Sequence, residues 1–243
     1  VPVAARSWKF ESSPGHHRRP VDRDRTKGFR LSRETYNTPV EMHLHTDDLP
    51  NGLDFGTAIA VDTETQGLNL MRDRLCVVQL SKGDGVCHLV QMTGKSYDAP
   101  NLKALMTNPD VTKIFHFARF DVAIMKRWLD IQINPVFCTK IASKLVRTYT
   151  DRHGLKDVTK ELLGIDLSKA QQSSDWAAET LSPEQLTYAA SDVLNLNAIQ
   201  EQLQAMLARE GRTEIAEACF DFLATRADLD LSGWPDTDIF SHA

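Results

Sequence analysis

An apolar stretch, Ala58-Ile-Ala-Val61, runs without a break into Asp62-Thr-Glu-Thr65. A short apolar run bounded by turn-forming residues has the length of a strand buried inside a sheet. Carboxylates at its end put charge where the sheet meets solvent. Residues i and i+2 of a strand point the same way, so Asp62 and Glu64 share one surface. Two acids held that close repel unless a proton or a cation stands between them, which makes a hard divalent metal a physical expectation for the pair. Alone the pattern is weak, because an Asp-x-Glu at a strand end is commonly a solvated edge.

The surrounding pattern supplies a sheet for that strand. Strands are expected at Leu75–Leu80 and Val86–Met92, joined through Asp84-Gly85, a pair suited to a hairpin turn, and at Val111–Phe117. Helices are expected at Asn101–Thr107 and at Arg119–Leu129, where Phe120, Ile124 and Trp128 recur at helical spacing, then over 139–147, 154–163, 182–209 and 213–226. Ser182-Pro-Glu-Gln185 combines an N-cap, a proline at the first helical position and a glutamine to close a capping box, and Gly211 is a natural stop. That helix is expected to run about 42 Å. The sum is an α/β domain, a mixed central sheet with flanking helices and a helical C-terminal half.

Composition narrows the function classes. The 243 residues suffice for one substantial core, and no run of about eighteen uncharged apolar residues or apolar signal core occurs. A soluble, cytoplasmic protein without membrane contact is expected. Cys76, Cys87, Cys138 and Cys219 are scattered with no CxxC pair, which reads as reduced thiols and not as a zinc site or disulfide framework. The net charge of −5 hides an asymmetry: residues 1–41 hold nine basic and five acidic residues, and the chain from Met42 onward holds 19 and 28. Residues 1–41 lack helix or strand period and read as a disordered leader or an upstream extension. An acidic body disfavours a passive duplex-coating protein, but not an enzyme whose bound cations supply positive charge.

Two more carboxylates stand where the chain can bring them to the strand end. Asp121 closes His116-Phe-Ala-Arg-Phe-Asp121, at a turn from sheet into helix, and Asp192 closes Tyr188-Ala-Ala-Ser-Asp192, with Tyr188 one helical turn earlier on the same face. Four carboxylates without His or Cys at ligand spacing suit Mg²⁺ or Mn²⁺. Two such ions about 4 Å apart can activate a water and stabilise the leaving oxygen of a phosphodiester.

These segments resemble the three exonuclease motifs of the DEDD superfamily, in order, with its ribonuclease H-like fold. Tyr188 stands four before Asp192, and Thr187 occupies the position where the histidine form would place its His, so the tyrosine form is indicated. Leu167-Ser-Lys-Ala-Gln-Gln-Ser-Ser-Asp-Trp176 resembles the ribonuclease D branch, and the ending Arg226-Ala-Asp-Leu-Asp-Leu-Ser-Gly-Trp-Pro-Asp-Thr-Asp-Ile-Phe240 is similar to the nanoRNase C group. The likeness spans about residues 53–212. Some thirty residues follow, too few for the helical HRDC domains of full-length ribonuclease D.

The resemblance implies an exonuclease domain over 42–212, a C-terminal helix and docking tail over 213–243, and two Mg²⁺ or Mn²⁺ ions held by Asp62, Glu64, Asp121 and Asp192. Tyr188 would orient the attacking water; its ordinary pKa near 10 makes it a poor base. The implied activity is 3′-to-5′ hydrolysis of short RNA, dinucleotides included, by a homo-oligomeric ring, with an octamer as one size. The alternatives are a broader ribonuclease D-like exonuclease acting on tRNA precursors or DNA, and a catalytically silent nucleic-acid-binding module. Candidate substrate contacts are Leu68 as a wedge between bases, His116 at the terminal sugar, Gln79 near the site, and Arg147, Arg152 and His153 as a phosphate grip. Core packing for Leu68 and His116, an edge-strand polar side chain for Gln79 and a solvated loop for the cations are the plainer readings. Trp176 is expected to pack a helix onto the sheet, and Trp234, Ile239 and Phe240 to dock on the domain itself or a neighbour.

Overall fold

The computed structural model of the chain describes residues 40–168 and 173–242, which belong to one compact unit. The expected leader therefore falls almost wholly outside the described residues. Six strands form one sheet: β1 (Glu41–Thr46), β2 (Ala58–Thr65), β3 (Leu75–Ser81), β4 (Val86–Gln91), β5 (Thr112–Phe115) and β6 (Val136–Cys138), in spatial order β1-β4-β3-β2-β5-β6. The β2–β3–β4 run is antiparallel, and β1, β5 and β6 join in parallel. Every residue of β3 is buried, because both of its faces and both of its edges are covered.

Two strands exceed the sequence expectation. In β1 the inward signal is carried by imidazoles in place of aliphatic groups, and Leu44 is exposed, so no apolar alternation marks it. Pairing with β4 holds it, His43 opposite His88, and the rings of His43, His45 and His88 stack at 5.1–6.4 Å. β6 is three residues long, too short for any period to declare it.

Seven helices lie among the described residues: α1 (Pro100–Thr107), α2 (Ala118–Leu129), α3 (Thr139–Val146), α4 (Leu155–Leu163), α5 (Pro183–Val193), α6 (Leu196–Arg209) and α7 (Thr213–Leu231). The single long helix expected over 182–209 is in fact two. α5 packs on β2, β3 and β4, whereas α6 packs on α3, α4 and the β2/β5 region, so the chain turns at Leu194-Asn195 to serve two sets of partners. Asn195 is a poor helix former suited to such a joint. α7 runs past the expected end at 226. Its Asp230 is buried and accepts from the Arg119 guanidinium at 2.8 and 2.7 Å and from Arg226 at 2.7 Å, which ties the helix end to α2. None of the described helices is long and apolar enough to cross a membrane. All four cysteines are free, three of them buried.

Candidate active site

β2 leaves the sheet interior at Asp62. Its alternation sends Asp62 and Glu64 to one face and Thr63 to the other, and the β2–β3 register shifts between Glu64 and Thr65, so regular pairing ends just past the carboxylates. Thr63 nevertheless lines the same cleft as the two carboxylates, and its Oγ1 donates to Asp121 Oδ1 at 2.6 Å. Asp121 sits in the first turn of α2, where the helix dipole favours negative charge. Phe117, the residue before that helix, takes a left-handed backbone (φ 73°), unusual for a bulky side chain and a sign of local strain.

α5 brings the remaining groups. Its start is fixed by the expected capping box, Gln185 N–H donating to Ser182 Oγ at 3.2 Å and Ser182 N–H to Gln185 Oε1 at 2.9 Å. Gln185 Nε2 also donates to the Asp175 carbonyl at 3.1 Å, so the Ser-Asp-Trp segment is held against the helix. Trp176 is buried, with its ring 6.1 Å from that of Tyr188. It lies in a turn, belongs to the core with the sheet residues and backs the tyrosine of α5, the helix that packs on β2, β3 and β4.

Asp62, Glu64 and Asp192 each place one oxygen within 4.8 Å of the others. Asp121 stands just outside that group, with one oxygen taken by Thr63. Burial first, then repulsion from Asp192 and Asp121, pushes Glu64 up to about 9. Burial and the other three carboxylates hold Asp62 well above the usual range. Burial lifts Asp121 to about 7 against the Thr63 hydrogen bond, and lifts Asp192 to about 6 against its bond from Tyr188. Crowded carboxylates raised this far are a donor set short of positive charge, and an all-oxygen set fits a hard divalent cation. The Tyr188 hydroxyl is pushed above its ordinary 10, by burial and then by the charge of Asp192 and Glu64. It stays protonated at neutral pH.

The carboxylates and Tyr188 line a cleft of about 390 Å³. Leu68 and His116 line it too, and Leu68 is 85% exposed, so it does not pack in the core. The loop carrying Leu68 depends on Gly67, where a Cβ would lie 2.3 Å from Asp73 Oδ2, the atom that receives the Asn69 N–H. His116 Nδ1 pairs with Thr139 Oγ1 at 2.8 Å, and Thr139 in turn donates to the Phe115 carbonyl at 3.0 Å. Burial and the nearby Lys140 lower His116 to about 3, which keeps the ring neutral.

Four expected substrate contacts lie away from the lining. Gln79, opposite Asp62 in the sheet, is fully buried, with neither side-chain polar atom hydrogen-bonded among the described residues. Arg147 is also fully buried. It donates to Ser143 Oγ at 2.8 Å and to the Arg152 carbonyl at 2.7 Å, and pairs with Glu161, so its charge is spent inside the protein. Arg152 is exposed beside it, and His153 Nδ1 pairs with Ser143 Oγ at 2.9 Å. The cations at the cleft are Lys140 and Lys156, neither in an ion pair among the described residues. Lys156 stands three residues after His153, the last of the cations expected to grip a phosphate, whereas Lys140, packed over the Phe117 ring at 4.3 Å, carries no local signal. A larger, mostly apolar cavity of about 620 Å³ lies beside α3 and α7. It shares Phe117 and Lys140 with the cleft but holds no carboxylate.

A mixed sheet that gathers acidic oxygens and a tyrosine at the end of its β2 strand defines a nuclease domain of the metal-dependent kind. A 3′-5′ exonuclease family matches residues 40–208, and the chain belongs to that family. Ribonuclease D of Acidiphilium cryptum is 36% identical over 156 residues, 64% of this chain and 39% of the relative. The chain thus matches about two fifths of that curated relative's length. Among solved structures, Brucella melitensis NrnC bound to pGG is 55% identical with a TM-score of 0.81, covering 84% of this chain and 100% of the other. NrnC with bound Mg²⁺ is 54% identical, with a TM-score of 0.80 and the same coverage.

Proposed function

We propose that the chain is a metal-dependent 3′-5′ exoribonuclease that hydrolyses short oligoribonucleotides, dinucleotides included, to nucleoside 5′-monophosphates. The observation that carries this is the convergence of Asp62, Glu64 and Asp192 beside a protonated Tyr188, at the mouth of a cleft of small-ligand size. The likeness to NrnC, solved with pGG, supports the substrate length. Asp62, Glu64, Asp121 and Asp192 would hold two Mg²⁺ or Mn²⁺ ions, whose chemistry is to lower the pKa of a bound water and neutralise the leaving oxygen. In the reaction a water oxygen bonds to phosphorus and the P–O3′ bond breaks. One water proton goes to the departing 3′-oxygen and the other to solvent. Tyr188, held neutral, orients the water; Leu68 stands exposed where it can separate bases; Lys140 and Lys156 bring positive charge to the phosphates.

A time course on 5′-labelled RNAs of two and seven nucleotides, with Mn²⁺ or EDTA and with an Asp62→Ala control, tests the reading. Metal-dependent conversion of the dinucleotide, with the seven-mer lagging, is expected. Equal or faster trimming of the seven-mer would favour the ribonuclease D-like alternative, for which the 36% likeness speaks, and no cleavage of either would leave a binding module. In the same assay Tyr188→Phe should lose roughly a hundredfold to a thousandfold in rate. It should keep the stabilisation by Mn²⁺, because the phenol is no ligand. A wild-type rate would remove Tyr188 from the mechanism. We also propose a homo-oligomer: Ile215, Phe222 and Phe240 are exposed along the apolar cavity beside α7, and a monomer mass in light scattering at all concentrations would reject it.

A further inference from the structure

We propose that Phe117 is a nucleobase-stacking platform of the cleft and a determinant of specificity for substrates that carry bases. The inference rests on the nuclease reading above. Phe117 is 44% exposed and lines both the cleft of the carboxylates and the neighbouring apolar cavity beside α3 and α7. Its left-handed backbone, φ 73°, falls at the joint between β5 and α2, five residues after Thr112 begins the strand and one before the helix. Strain of that kind at a non-glycine residue is retained where the surrounding structure has a use for the side chain's direction. A glycine would accept this backbone freely, so the presence of phenylalanine points to the ring itself.

Two neighbours give the ring a role that packing does not require. Lys140 holds its ammonium 4.3 Å from the ring centroid, with no carboxylate partner among the described residues, so an aromatic face and a free cation sit together at the cleft. That pairing matches a nucleotide, whose base is a π-surface and whose phosphate is an anion. Leu68, the other large apolar group exposed at the cleft, comes from the β2–β3 loop, so the site carries two apolar side chains from separate elements. Stacking is tolerant of base identity because every base has a π-face. The proposal therefore selects for the presence of a base and not for a particular one.

The test compares kcat/KM on a diribonucleotide with that on the same molecule lacking its first base, and lacking its second, for wild type, Phe117→Gly and Phe117→Tyr. In wild type, removing the stacked base should cost about tenfold to a hundredfold, and the analogue that suffers identifies which nucleotide the ring meets. In Phe117→Gly that penalty should collapse toward unity because the intact dinucleotide loses rate and the abasic one does not. Phe117→Tyr, which keeps the ring, should retain the penalty. An unfolding temperature measured on each variant separates a folding defect from a lost contact. The proposal is overturned if Phe117→Gly lowers all three substrates equally, or leaves the wild-type penalty in place. Absence of wild-type hydrolysis of the intact dinucleotide would instead overturn the nuclease reading beneath it.

Discussion

Asp62→Asn is expected to cut hydrolysis by about a thousandfold or more and, in EDTA, to raise the unfolding temperature. The two effects share one cause. Asp62 is half-buried, and desolvation together with Asp121, Asp192 and Glu64 holds its carboxyl well above the usual carboxylate range. In the absence of cations, keeping a fourth acid there costs folding free energy, and an amide of the same shape removes that cost while leaving the packing. A gain of about 1–2 kcal/mol, or roughly 2–6 °C for a domain of this size, is the scale to look for. Loss of one oxygen ligand from a metal-dependent phosphodiesterase removes several kcal/mol of transition-state stabilisation. The variant should also lose most of the thermal shift that Mn²⁺ gives to wild type. Activity within tenfold of wild type, or an undiminished Mn²⁺ shift, would show that Asp62 is not a ligand.

The sequence made the carboxylates and tyrosine of the cleft readable because each follows from a local period. Asp62 and Glu64 share a face by strand alternation, and Tyr188 and Asp192 by helical spacing, and both periods survive in β2 and α5. The capping box at Ser182 survives for the same reason: it is a contact between residues three apart. What failed was information held between elements. Nothing local distinguishes Arg147, buried and paired with Glu161 across fourteen residues, from a free cation in a basic loop. Nothing local reveals that Lys140 meets Phe117, twenty-three residues away and on another element. The break at Leu194-Asn195 is decided by where α5 and α6 pack, and helical periodicity passes through it unmarked. Gln79 illustrates the remaining gap. Its position opposite Asp62 is a matter of register, and its complete burial comes from the elements layered over the sheet.

The acidic cluster also sets a dependence of stability on pH whose sign is fixed within a definite window. Glu64 at about 9, Asp121 at about 7 and Asp62, well above its usual range, bind protons in the folded protein that the unfolded chain has released. Stability from such groups is fully present below the ordinary carboxylate pKa and is lost as pH rises through the folded values. The lowered histidines act in the opposite sense. His116 at about 3, with His45 and His88 also lowered by burial, contributes stability above pH 6.5 that is lost only as pH falls. Lys113, buried with its ammonium on three backbone carbonyls and lowered to about 8, begins to favour the fold only above that value. Between pH 6.5 and 8 the carboxylates are therefore the main unopposed groups. In EDTA the unfolding free energy should fall across that interval by about 2 kcal/mol for each excess proton held. Saturating Mg²⁺ or Mn²⁺ should flatten the curve, since cations replace the protons that the cluster otherwise needs, and the metal-induced shift should grow as pH rises. Thermal unfolding at four pH values, with and without metal, measures both slopes. A metal-free curve that is flat or rising from 6.5 to 8 would mean that the carboxylates are not crowded in solution as they are in the fold. A metal shift independent of pH would mean that the cation binds elsewhere than on Asp62, Glu64 and Asp192.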